Sequence, residues 1–313
     1  MAATTALTSV TSAVMSTTSS AVTATPPAAA GAPAGRTGRR PGSGSPGPGS
    51  AATGRRGPGL LTAVRIELAK MRRLRTLPVT LAMVGASVAM CGSGLFSSSA
   101  RAGFTDPAAL PWAGLLLNVA FANAMIGPVM VAVLASRQTE IEHSGAGWNL
   151  ASTAGLTPGV LCRVKVAALG LVIIPAVLAQ SAALVGLGRA VGITVSLDAG
   201  QWVAYTLMLV GVDMAMCAFH VWLAAVVDNQ LIGVGAGLLG GFVASFMLLA
   251  PPWLARLLPW GYYAVITNVR FVQDGEQSGV VYSPAPLGWV VGFLALAALS
   301  FAVATRRFDR LER

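Results

Sequence analysis

The sequence predicts an all-α integral membrane protein: six transmembrane helices, a basic amphipathic helix ahead of the first, and both termini cytoplasmic. Three observations carry this reading. Only 10% of the residues are charged and 55% are hydrophobic, with mean hydropathy +0.70, whereas soluble domains are about 25% charged. Six apolar stretches are each long enough to cross a hydrocarbon core of ~30 Å at 1.5 Å per residue, and in a bilayer only helices fit those lengths. The basic residues also collect in alternate connecting segments. With the N-terminus inside, cytoplasmic segments hold seventeen of the 21 and the outer loops four, Arg101, Arg189, Arg256 and Arg270.

Taken in order, residues 1–59 are Ala, Thr, Ser, Gly and Pro with scattered Arg. This composition cannot bury a core, so a disordered cytoplasmic tail is expected there and a membrane domain over 60–313. The start has no basic stretch ahead of an apolar one and does not read as a signal peptide. From Leu60 to Arg75 the pattern turns helical. Leu61, Val64, Leu68 and Met71 recur on one stripe, with Arg65, Glu67, Lys70, Arg72 and Arg73 elsewhere. Such a helix suits the inner membrane surface, its stripe in the headgroups and its cations toward anionic lipid. Glu67 and Lys70 stand three residues apart, close enough to pair.

The six spans read as Leu77–Phe96, Leu110–Ala135, Val164–Gly188, Gln201–Val227, Leu231–Ala250 and Leu287–Thr305. Two connections are long. The outer one, 251–286, carries Trp253, Trp260, Tyr262 and Tyr263, expected as interfacial anchors on short helices in the outer headgroup layer. The inner one, 136–163, holds Glu140, Glu142, Gly145, Trp148 and Leu150. Two turn signals, Ser144-Gly145 and Thr157-Pro158-Gly159, bracket about three turns around Trp148. A tryptophan between Gly147 and Asn149 in a water-facing loop fits insertion into another protein's surface; anchoring in the inner headgroups is the alternative. Glu142 is expected to pair with a base on that partner or to cap the short helix.

Within the spans, Gly233, Gly237 and Gly241 form a tandem small-residue face, either for packing within the bundle or as a seam between two copies. Intramembrane polar residues are Asn118, Asn123, Asp213 and His220. Asp213, Cys217 and His220 share one face. The carboxylate is a functional candidate by its cost in lipid, or a structural one with a partner such as Gln180 or Asn123. His220 lies about 10 Å nearer the cytoplasm than Asp213, too far for direct contact.

The net charge of +10 does not point to nucleic acid, because the basic residues lead straight into a membrane segment. Three scattered cysteines give neither a disulfide framework nor a metal spacing. No Gly-Lys-Ser/Thr loop, HExxH or GxSxG occurs. The chain is therefore expected to be a non-enzyme without cofactors, with any driving energy coming from a gradient or from another polypeptide.

The amphipathic IELAKMRRLR, the inner-loop pattern of Glu142, Gly145, Trp148 and Leu150 with Lys165 opening the third span, and the tight FHVWLAAVVDNQLIGVGAGLLGG connection together carry a resemblance. Over residues 60–310 the chain resembles the permease subunits of type-2 ABC exporters, in particular the lantibiotic-immunity and bacitracin-resistance branch. That resemblance implies a multi-pass protein of the bacterial plasma membrane, with two permease copies or homologues per transporter. A separate ATPase subunit would dock on a coupling helix within 140–158. Residues 61–75 would be an elbow helix, and 251–285 short re-entrant helices. The implied cargo is an amphipathic peptide antibiotic. Two other classes stay open: a proton-coupled secondary transporter using Asp213, and a non-transporting immunity protein that sequesters its ligand.

Overall fold

The computed structural model describes residues 58–274 and 277–311. The expected tail over 1–59 thus lies outside the described residues, Pro58 and Gly59 excepted. Among the described residues, eleven α-helices follow in chain order: α1 (Leu60–Arg73), α2 (Thr76–Ser93), α3 (Ser98–Ala102), α4 (Pro111–Ser144), α5 (Gly147–Thr153), α6 (Pro158–Val191), α7 (Ala199–Val226), α8 (Gln230–Met247), α9 (Pro252–Leu257), α10 (Tyr262–Val265) and α11 (Leu287–Leu311). Among the described residues, six of these are long and apolar enough to cross a membrane: α2, α4, α6, α7, α8 and α11. The protein is an all-α membrane bundle, with one small antiparallel hairpin, β1 (Val269–Asp274) and β2 (Gln277–Tyr282), in a segment expected to be helical.

Helix starts follow from local chemistry. Pro111 and Pro158 open α4 and α6, where a missing N–H costs nothing. Thr157, Asp198 and Asn229 cap α6, α7 and α8 through their side-chain oxygens. Between α1 and α2 the chain turns at Arg75, whose φ of 52° is left-handed. Arg137 of α4 donates to the Leu74 carbonyl at 2.6 Å and fixes that corner.

The bundle is built around α4, which is mostly buried, whereas α11 leaves nearly all of its apolar window outward. The tandem glycines of α8 face α4 of the same chain. Gly233 lies on Ser136, Gly237 on Ala132 and the Pro128 carbonyl, and Gly241 on the Met125 carbonyl, with no room at any of the three for a Cβ. Of the two expectations for this face, packing within the bundle is what occupies it. Close backbone approach between helices is what small residues permit in lipid.

α4 and α6 have 34 residues each, so each is roughly 51 Å long and overruns the hydrocarbon by about 20 Å. By hydropathy these spans stop at Ala135 and Val164, where charges begin. The helices continue because those charges are paired inside the protein. The result is a stalk beyond the apolar spans that carries α5, two turns long rather than three.

The outer connection corrects an expectation. Tyr262 and Tyr263 are 5% and 1% exposed, and they are not headgroup anchors. Tyr262 stacks on Phe293 of α11 with centroids 3.9 Å apart. Trp260 sits edge-on to Phe219 of α7 at 5.9 Å and against Gly240 of α8. Phe219 lies roughly 30 Å along α7 from its outer end, so the α9–α10 segment dips deep between the spans. Trp253 alone of the four aromatic residues stays exposed.

Candidate functional site

At the end of the bundle expected to face the cytoplasm, α1, α4 and α6 meet around four charged side chains. Lys165 of α6 is fully buried, and Glu67 of α1 and Glu142 of α4 nearly so. The Lys165 Nζ donates to Glu67 Oε2, Glu142 Oε1 and the Gln138 carbonyl, each at 2.8 Å. All three ammonium protons are thereby used. Lys70 of α1, partly exposed, bridges the same carboxylates from the other side, 2.6 Å from Glu67 Oε1 and 2.6 Å from Glu142 Oε1. Gln138 Nε2 donates to Glu67 Oε2 at 2.7 Å. Two carboxylates and two ammoniums balance, which is what makes ionised groups tolerable where water is excluded. The expected Glu67–Lys70 pair exists, but as one edge of this larger network.

Burial pushes the Glu67 carboxyl up. The Lys165 charge and the hydrogen bonds from Lys165 and Lys70 outweigh it and hold the group below its ordinary value. For Lys70, burial pulls the ammonium down, while its hydrogen bonds to Glu142 and Glu67 carry it above the ordinary lysine value.

Around this network α5 is mounted. Gly145 leads to Ala146, left-handed at φ 51°, and then to Gly147, which lies so close on the Glu142 carboxylate that a Cβ would collide with it. Trp148 turns inward, its ring edge-on to His143 at 5.6 Å and its Nε1 3.3 Å from His143 Nδ1. His143 Nε2 donates to the Ala224 carbonyl at 2.8 Å, and Nδ1 is 2.9 Å from Asp228 Oδ1 in the α7–α8 turn. Nδ1 accepts from Trp148 in a neutral ring and donates to Asp228 in a protonated one. On the other side, Arg163 of α6 reaches Asp309 of α11 at 3.0 Å and Thr305 at 2.9 Å. Thr157, just ahead of α6, donates to the same Asp309.

The five loop residues singled out by sequence therefore divide. Glu140, Gly145 and Leu150 are exposed, Leu150 at 66%. Glu142 and Trp148 are not presented outward. Glu142 finds its bases within the chain rather than on a partner, and Trp148 packs on His143 rather than projecting into water. The outward face of α5 is instead Asn149, Leu150 and Thr153. Sequence reasoning missed Gln138, Asp228 and the Arg163–Asp309 tie. Their signal was only that charged residues continue a helical register past the apolar span.

Among the intramembrane polar residues, Asp213 is 2% exposed and accepts from Tyr263 Oη at 2.6 Å. Neither Gln180 nor Asn123 is its partner. Those two pair with each other at 3.0 Å, and Gln180 also donates to Ser87 of α2 at 2.9 Å. Gly127 of α4 leaves the space that the Tyr263 ring fills. Asn118 is exposed at the side of the bundle, with its carbonyl facing Cys91. His220 is fully buried beside Phe219, and neither ring nitrogen has a partner among the described residues. Compared with known protein families and with curated proteins, the chain matches none.

Proposed function

We propose that this chain is the membrane-spanning subunit of an ATP-driven exporter for an amphipathic peptide or similarly hydrophobic compound, powered by a separate ATPase chain that docks on α5. The observation that carries the proposal is the mounting of α5. A two-turn helix at the tip of the α4–α6 stalk exposes Leu150 and Asn149. Behind it, it is tied to α1 through Glu142 and its lysines and to the α7–α8 turn through His143. A push on its outer face is thereby delivered to several helices at once, which is what a coupling element must do. Glu140 and Leu150 face the partner in this reading, while Glu142 and Trp148 hold the element rigid. A second permease, a copy or a homologue, completes the transporter. The proton-coupled alternative has weaker support, because Asp213 is capped by Tyr263 and has no contact with His220.

The test is affinity purification of the tagged chain from its native membranes. A nucleotide-hydrolysing chain with a Gly-Lys-Ser/Thr loop is expected to copurify and to be lost on Leu150→Asp, with the variant's melting temperature unchanged. If the parental chain brings down no such partner under conditions that preserve membrane complexes, the proposal is wrong.

A further inference from the structure

The face of α1 turned away from the charge network carries Arg65, Ala69 and Arg72, spaced by four and three residues. The two arginines border a groove of about 420 Å³ whose apolar wall includes Leu68, Leu77 and Val172. Both arginines are exposed, and among the described residues no carboxylate pairs with either. Ala69, between them, has too small a side chain to close the space.

We propose that this groove seats one anionic phospholipid of the inner leaflet, its phosphate held between Arg65 and Arg72 and one acyl chain laid along Leu68, Leu77 and Val172. The charges and the wall must be satisfied together. Two residues seven apart on a helix are separated by about 10.5 Å, within which two long guanidinium side chains converge on one phosphodiester. Their planar forks match its oxygens. A free phosphate would leave the apolar wall to water, whereas a lipid covers it. The α1 helix is then held from both sides, by Glu67 and Lys70 to the bundle and by Arg65 and Arg72 to the bilayer.

The experiment places the full chain in nanodiscs of equal phosphatidylglycerol and phosphatidylcholine, extracts it gently and weighs it by native mass spectrometry. One retained phosphatidylglycerol per chain is expected. Each arginine near the surface contributes roughly fivefold, hence about twenty-five-fold selectivity over phosphatidylcholine. Arg65→Gln with Arg72→Gln abolishes the selectivity, whereas Arg73→Gln with Arg75→Gln, an equal loss of charge outside the groove, keeps it. Ala69→Phe, which fills the groove and leaves every charge in place, also abolishes it, so the test stands even if the first double variant misfolds. Equal retention of the two lipids by the parental chain, equal loss in both double variants, or undiminished selectivity in Ala69→Phe would each overturn the proposal.

Discussion

Lys165→Met is the most informative single change, because it keeps the aliphatic stem and removes only the ammonium. Glu67 and Glu142, 1% and 2% exposed, are left with Lys70 as their one cation, and the Gln138 carbonyl loses its donor. Removing one partner of a buried ion pair costs about 3–5 kcal/mol, most of it the cost of the stranded charge. For a chain of this size, melting temperature falls by about 2–4 °C per kcal/mol, so a drop of roughly 6–20 °C is expected. Cys91, Cys162 and Cys217 are free and buried, so a thiol-reactive fluorophore stays dark until the purified protein unfolds. Adding Glu67→Gln and Glu142→Gln to Lys165→Met removes the stranded charges and should recover part of the loss. The effect also has a defined pH window. Glu67 is held below its ordinary 4.5, so its contribution is complete above that pH and disappears as pH falls through the lower folded value. Lys70 is raised above 10.5, so its contribution is complete below that pH and disappears at more alkaline values. In the parental protein the contribution of Glu67 and Lys70 is therefore flat between these limits and declines outside them. A Lys165→Met protein that melts within about 1 °C of the parent at neutral pH would refute the account.

Gly237→Leu should separate α8 from α4 within one chain, because its Cβ meets Ala132 and the Pro128 carbonyl. Overpacking of about 1–3 kcal/mol or more is expected, read as early thiol labelling on heating. Unchanged melting would mean that the two helices do not depend on this face. Tyr263→Phe removes the one donor observed on Asp213. The unpaired carboxyl should cost about 1–3 kcal/mol, and Asp213→Leu in the same protein should largely cancel that cost. A double-mutant cycle showing no coupling between the two would exclude the bond.

The spans were legible because hydropathy over some twenty residues reports directly on the solvent that a helix lies in. Helix ends were not, since Glu142 or Lys165 reads as a sign of water until its partner is known. Glu67, Lys70 and Lys165 each stood out in the sequence, but Glu67 and Lys165 are 98 residues apart, and no local pattern brings them together. Of the 21 basic residues only Lys70 and Lys165 are lysines, and both are in the network, where a compact ammonium can point its three protons at separate acceptors. Trp260, Tyr262 and Tyr263 misled for a related reason. An aromatic ring with a polar edge fits a headgroup layer and a buried site equally well, and only distant residues decide between them: the Gly127 notch and Asp213 for Tyr263, Phe293 for Tyr262 and Gly240 for Trp260.

The deep seat of the α9–α10 segment also sets an order of assembly. Two helices of 6 and 4 residues cannot enter hydrocarbon alone, because most of their end N–H and C=O groups would lack partners there. They acquire a protein environment only once α4, α7 and α8 stand side by side, when Gly127, Asp213 and Gly240 offer the notch, the acceptor and the flat surface. Residues 251–268 can therefore take their place only after those three helices have packed together, and Phe293 of α11 then closes over Tyr262.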